Sequence, residues 1–434
     1  MVYNRDLMAR IRPFLKRKEF ISIVGPRQSG KTTFLEILRE NLQNELKVKK
    51  NLISLITFED RRLLNQFETD PMAFIYSYLP QERISTFYLM IDEFQYAEDG
   101  GQKLKLVYDT VKNIKVIITG SSSLEIKAKV SKFMVGRILN FYLFPFNFGE
   151  YLSTKDSRLE LLYRKNNKNA LSWLFEGKMS RIKEGTDLFH EELIPHFEDF
   201  CLWGGYPAVV LSQTRTERMK ILADIYNNYI LKDIKTLLEL ATENNLYLLS
   251  QFLATQTGNI VNYQNLGQAS RLNFRQLKKH LRILMETFVC QEVRPFFRNP
   301  KKELSKNPKI YFFDLGFRNN LMENWNSLNK RPDAGAIIEN NVFLRLNDLC
   351  EGQGKVHFWR TKAGAEVDFI FQAGTRAVPI EVKYSSFSKA GVSRSQASFI
   401  ESFKPEYGAV LTKNYWGRMK KNNSTIFFIP VYYL

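Results

Sequence analysis

Along this chain, apolar residues gather into short unbroken runs separated by stretches with helical spacing. Phe20-Ile21-Ser22-Ile23-Val24, Phe87-Tyr88-Leu89-Met90-Ile91 and Lys115-Val116-Ile117-Ile118-Thr119 each read as a buried strand, and Thr33–Leu38 reads as a helix following the first. Residues 151–200 mix both charges with scattered apolar positions, as a helical lid or insertion would. Gly204-Gly205-Tyr206-Pro207 marks a turn, because the glycines supply positive φ and Pro ends a preceding helix. A helical stretch is expected from there through Tyr226–Ile234. Residues 259–292 read as helix, turn, helix and strand. Leu277, Leu281, Leu284 and Phe288 recur at helical spacing, and Asn273 with Gln276 gives a capping-box signature. In the last third, Val367–Phe371 and Ala377–Lys383 read as successive strands. The pattern predicts an α/β protein in four parts: a parallel sheet with helices over 1–150, a helical segment over 151–240, a winged-helix-like segment over 241–305, and a second α/β domain over 306–434. A length of 434 residues suits roughly three domains, each with its own core.

The turn between the first strand and its helix carries the most specific chemistry. Gly25-Pro26-Arg27-Gln28-Ser29-Gly30-Lys31-Thr32 fits G-x-x-x-x-G-K-[ST], the P-loop. Backbone N–H groups and the helix N-terminus favour an anion there, and glycine lets the chain approach it closely. Lys31 is expected to reach the β- and γ-phosphates of ATP, Thr32 to hold Mg²⁺, and Thr33 to close the cradle. Asp92 and Glu93 follow the second apolar run, as a Walker B element would. Asp92 is expected to hold the metal's hydration shell and Glu93 to polarise the attacking water.

Charge narrows the partners. Lys and Arg number 63 against 45 Asp and Glu, a net charge of +18, which favours polyanions, nucleic acid (DNA first) ahead of an anionic membrane. The 3 cysteines, Cys201, Cys290 and Cys350, lie far apart without metal-ligand spacing, which points to a reducing, cytoplasmic setting. No apolar run reaches the roughly 18 residues of a membrane span. Arg275, Lys279 and Arg282 share a helix face, with Lys278 beside them, and form the candidate nucleic-acid contact; a solvated structural helix has the same look.

Pro-Arg-Gln-Ser-Gly-Lys-Thr-Thr, Ile-Asp-Glu-Phe-Gln and Thr-Gly-Ser-Ser-Ser together resemble a prokaryotic branch of the AAA-type ATPases. That resemblance implies a γ-phosphate sensor at the end of the third strand, with Thr119 and Ser121 as candidates; the alternative, compatible with it, is that they cap a helix starting near Leu124. Arg137 then becomes a candidate arginine finger toward a neighbouring subunit of a homo-oligomer, with a plain salt-bridged arginine as the alternative. Trp-Gly-Gly-Tyr-Pro-Ala-Val-Val and Tyr-Ile-Leu-Lys-Asp-Ile resemble the domain of unknown function 4143 that follows such ATPases.

The C-terminal third resembles PD-(D/E)XK nucleases, with a restriction-endonuclease-like α/β fold implied. Asp368, then Glu381 and Lys383 at E-x-K spacing, with Glu339 on an upstream helix, carry the resemblance. It implies metal held by Glu339, Asp368 and Glu381, and a lysine on the same strand face orienting water. Gln396 matches a glutamine of some members, but Ile400 stands where a tyrosine usually follows. The expected function is an ATPase in a nucleic-acid transaction, with Mg²⁺-dependent cleavage in its C-terminal domain. Alternatives are an ATP-regulated switch whose C-terminal domain only binds, and a protein-directed motor.

Overall fold

The computed structural model describes residues 3, 5–80, 85–121, 130, 132–177, 183–227, 243–297, 299–350 and 354–434. The chain forms two compact units, Met1–Phe146 with Glu286–Val289, and Asn147–Met285 with Cys290–Leu434. The helix expected near Leu124 and the Tyr-Ile-Leu-Lys-Asp-Ile segment at 229–234 lie outside the described residues.

The first unit is built on strands β1 (Phe20–Val24), β2 (Ile53–Thr57), β3 (Phe87–Asp92), β4 (Ile114–Gly120) and β5 (Ile138–Tyr142). They pair in the order β2-β3-β4-β1-β5, every pairing parallel. β1, β3 and β4 are buried along their whole length, as parallel strands covered on both faces require. The helix Lys31–Asn44 lays Phe34, Leu35, Leu38 and Leu42 against Ile21, Ile23, Met90 and Ile117, a core that fixes where the helix begins. β4 lies between β1 and β3, so the ends of all three strands meet on one edge of the sheet.

The second unit opens with helices over Phe148–Lys155, Ser157–Leu171 and His190–Trp203, in line with the helical reading of 151–200. Asp314, buried, accepts from Gly205 N and Phe317 N at 2.8 Å each and ties down the Gly-Gly-Tyr-Pro turn. A side chain at Gly204, where φ is +76°, would meet the Asp314 carboxylate at 2.3 Å. Helices Glu243–Thr255, Tyr263–Ser270 and Phe274–Glu286 follow. The Asn273/Gln276 capping box forms, with bonds of 2.9 and 3.2 Å, and Leu277, Leu281 and Leu284 are buried on one face. Phe288 lies beyond the helix end, at φ +60°.

The unit's sheet comprises β6 (Gly185–Thr186), β7 (Cys290–Pro295), β8 (Lys309–Phe312), β9 (Lys355–Arg360), β10 (Glu366–Ala373), β11 (Arg376–Lys383), β12 (Tyr407–Thr412), β13 (Tyr415–Lys421) and β14 (Ser424–Pro430). Its order is β6-β13-β14-β12-β11-β10-β9-β7-β8. The sheet is mixed: β9, β10 and β11 run antiparallel in turn, whereas β11–β12 and β12–β14 are parallel. The helix Ala334–Leu349 packs on β8, β9, β10 and β11, which brings Glu339 toward the strand carboxylates.

Candidate nucleotide site and a second polar cluster

The P-loop sits where β1 ends and the Lys31 helix begins. A Cβ on Gly25 would stand 2.0 Å from the Leu143 carbonyl oxygen, so the backbone approach there requires glycine. Gln28 takes a left-handed φ of +59°, an uncommon conformation for a side-chain-bearing residue and one that turns the loop. Arg5, which sequence reasoning passed over, is buried and donates to Ser29 O at 3.0 Å and to Phe144 O at 2.5 Å. Its guanidinium also stacks over the Phe146 ring. An isolated arginine far from the motif gives no local signal.

Lys31 is buried, and its Nζ donates to Gly25 O at 3.0 Å and Pro26 O at 2.8 Å. Burial lowers its pKa to about 8, against the upward pull of Glu93 and Asp92. Thr32 Oγ1 donates to Asp92 Oδ2 at 2.5 Å, joining the two residues expected at the metal. Thr119 donates to the other Asp92 oxygen and lies 3.3 Å from Glu93 N. Glu93 breaks from β3 in a left-handed conformation, φ +54°, which turns its side chain out of the strand register. Gln95 Nε2 bridges Glu93 Oε2 and, at 3.1 Å, Ser121 Oγ.

Lys31, Thr32, Asp92, Glu93, Thr119 and Ser121 are therefore gathered at one edge of the parallel sheet. The residues present fit a magnesium–nucleotide. Among the described residues Ser29 Oγ is buried without a hydrogen-bond partner, the Lys31 ammonium is spent on its own loop's carbonyls, and the first-turn N–H groups of a helix have no intrahelical acceptor. A phosphate would satisfy all of these. Arg137 is not gathered there. It precedes β5, whose register pairs Ile138 with Phe20 at the start of β1, the end opposite the P-loop. It pairs instead with Asp109 at 3.0 Å.

In the second unit, Glu339, Asp368, Glu381 and Lys383 come together around the start of β10 and the end of β11. Asp368 Oδ2 accepts from Val382 N at 2.7 Å. Burial first, and then Glu339, raise the Asp368 pKa to about 7. Glu381 is engaged by Lys383 Nζ at 3.0 Å and by Ser393 Oγ at 2.7 Å. Three further residues belong to the cluster that motif reading missed. Lys309, 2% exposed, contacts Glu339 at 3.1 Å and Glu366 at 2.6 Å, and Tyr311 donates to Glu339. Lys309 and Tyr311 are i and i+2 of β8, one polar face in a strand that otherwise reads as apolar. That alternation was the available signal. Gln396 is buried with its amide donating to Ala409 O at 2.9 Å, a bond within the domain's core.

These carboxylates do not fit the expected metal. Among the described residues no three His, Cys, Asp or Glu side chains are grouped so as to hold an ion. The positions facing Glu339, Glu366 and Glu381 are taken by the ammoniums of Lys309 and Lys383.

Arg275, Lys278, Lys279 and Arg282 are all exposed along the helix Phe274–Glu286. The Lys278 ammonium stands 3.5 Å from the Tyr263 ring centroid, so part of that basic face is braced by an aromatic. No helix among the described residues is long and apolar enough to cross a membrane.

Comparison with known family models marks three stretches of the chain. Residues 17–152 match the model described as an AAA domain, 194–329 a domain of unknown function (DUF8612), and 334–434 a domain of unknown function (DUF4143). An uncharacterized protein of Haemophilus influenzae is 24% identical over 398 residues, covering 88% of this chain and 87% of that one. An uncharacterized protein of Methanocaldococcus jannaschii is 23% identical over 376 residues, covering 85% and 75% respectively. Among solved structures, the Walker-type ATPase of Pyrococcus abyssi is 14% identical, covers 74% of this chain and 96% of its own, and superposes with a TM-score of 0.43. The P-loop sheet of the first unit thus lies within the AAA-domain match, and strands β9 to β14 of the mixed sheet lie within the DUF4143 match, with the DUF8612 match between them.

Proposed function

We propose that this chain binds and hydrolyses ATP with Mg²⁺ at the P-loop and uses the cycle to control engagement of nucleic acid, DNA foremost. The observation that carries the hydrolytic half is the junction of Lys31, Thr32 and Asp92, with Glu93 beside them on the same sheet edge. Lys31 gives up its loop carbonyls to bind phosphate oxygens, and Thr32 and Asp92 hold the metal. Bound Mg²⁺ supplies charge neutralisation across the phosphates. Glu93 orients water and accepts its proton once Gln95 releases the carboxylate. Arg137, on the far edge of its own sheet, reaches a nucleotide only in a neighbouring copy, so a finger role would require a homo-oligomer.

The nucleic-acid half rests on the net charge of +18 and on the exposed Arg275, Lys278, Lys279 and Arg282 face. Two versions differ in what the C-terminal domain does. One has it cut, with Glu339, Asp368 and Glu381 at a metal and Lys383 at the water. The other is a switch in which it only binds, and the ammoniums facing those carboxylates favour this version. The test is fluorescence anisotropy of labelled duplex DNA over a salt series. Neutralising Arg275, Lys279 and Arg282 together should weaken binding and lower the salt slope by up to about 3. An unchanged slope would move the contact elsewhere. Mg²⁺-dependent loss of DNA that disappears in Asp368→Ala, with ATP hydrolysis intact, would decide for cutting.

A further inference from the structure

The expectation of a metal in the C-terminal cluster conflicts with what fills it, and the conflict has a single main source. Lys309 comes from β8, outside the strands that carry Asp368, Glu381 and Lys383, yet its ammonium meets carboxylates of two other elements. It contacts Glu339 of the helix Ala334–Leu349 at 3.1 Å and Glu366 of β10 at 2.6 Å. Tyr311, on the same face of β8, gives a further hydrogen bond to Glu339. The backbone N–H of Val382 holds Asp368. Arg360 takes the remaining side of Glu366 at 3.2 Å, and Lys383 with Ser393 takes Glu381.

Each carboxylate thus has a donor supplied by the protein itself. A desolvated carboxylate needs a cation or several donors, and like charges held close together need one between them. A divalent ion would meet both needs, and so does a lysine that the fold delivers to the same place.

We infer that Lys309 is the resident cation of this cluster, and that the cluster works metal-free, as an ionic lock joining β8 to the Glu339 helix and β10. A corollary follows from charge alone. Removing the ammonium strips Glu339 and Glu366 of their shared counter-charge beside Asp368; these carboxylates are not grouped around an ion in the wild-type fold, and closing on the vacated position makes them a divalent-cation site. Lys309 is what keeps a metal out.

The test is Mn²⁺ binding to the full chain without nucleotide, read from the free-ion electron paramagnetic resonance signal. Wild type and Asp368→Asn should bind Mn²⁺ identically, because neither offers a site in this cluster. Lys309→Met should gain an additional equivalent of Mn²⁺, and Asp368→Asn placed on top should remove it. Lys309→Gln, which keeps a hydrogen-bond donor but no charge, should behave the same way and serves where Lys309→Met fails to fold by circular dichroism. A wild-type protein that binds Mn²⁺ in an Asp368-dependent manner would overturn the inference. So would folded Lys309 variants that gain no Mn²⁺.

Discussion

Lys31 and Lys309 are the same residue type, both buried to within a few per cent, and their surroundings could hardly differ more. Lys31 closes on two main-chain carbonyls. Those dipoles compensate its charge only partly, and its pKa falls to about 8. Lys309 closes on two carboxylates; burial pulls its pKa down, but Glu339 and Glu366 outweigh burial and the net movement is upward. A lysine left short of counter-charge marks a site built to receive an anion. A lysine fully matched by carboxylates marks a site already filled.

Four outcomes would break or sharpen that contrast. The largest concerns the first unit: Glu93→Gln should retain nucleotide binding while hydrolysis falls by about 10²–10⁴-fold, the usual weight of a lost general base. Phosphate release alongside a fluorescent-nucleotide titration separates the two quantities, and equal loss of both would remove Glu93 from the chemical step. Lys309→Met should next lower unfolding free energy by up to about 3 kcal/mol, because it strands the half-buried Glu339 and Glu366 without their counter-charge. Urea denaturation measures this, and Glu339→Leu added to Lys309→Met should recover part of the loss; a Lys309→Met protein as stable as wild type would mean the pair is not locked.

The third outcome is a pH effect on Lys31. Its pKa in the free protein lies below that of an exposed lysine, and the protonated form is the one that meets phosphate. Nucleotide affinity should therefore be highest below pH 8 and weaken as pH rises through 8, by up to about tenfold per unit. A flat profile from pH 7 to 9.5 would mean that the ammonium is already fully held in the free protein. The smallest effect belongs to Arg137. Its pair with Asp109 is partly exposed, so Arg137→Ala should change stability by no more than about 1 kcal/mol. ATP turnover by Arg137→Ala that is lower than wild type only at concentrations where the chain self-associates would support a finger acting between copies.

How much of this could be read in advance depends on how local each signal was. The P-loop, the strand before it and the helix after it lie within one stretch, and the order of apolar run, glycine turn and helical period leaves few alternatives. β3 ending at Asp92 and β4 ending at Gly120 were legible for the same reason: strands buried on both faces write themselves as continuous apolar runs. Arg5 and Asp314 were not legible, because each is a single polar residue with a decisive partner far along the chain, Phe144 for Arg5 and Gly205 for Asp314. Lys309 showed only as a polar alternation on β8, which does not say that its partners are Glu339 and Glu366. Asp368, Glu381 and Lys383 lay between these cases. Strand periodicity correctly put Glu381 and Lys383 side by side, but it said nothing of the second lysine that β8 would bring.

The central claim is that the first unit turns over ATP with Lys31 as its phosphate-binding cation. Steady-state phosphate release by the full chain with ATP and Mg²⁺, compared with Lys31→Ala, tests it directly. The account predicts measurable turnover in the wild type and a fall of at least about 100-fold in the variant. A Lys31→Ala protein that hydrolyses ATP at the wild-type rate would contradict it.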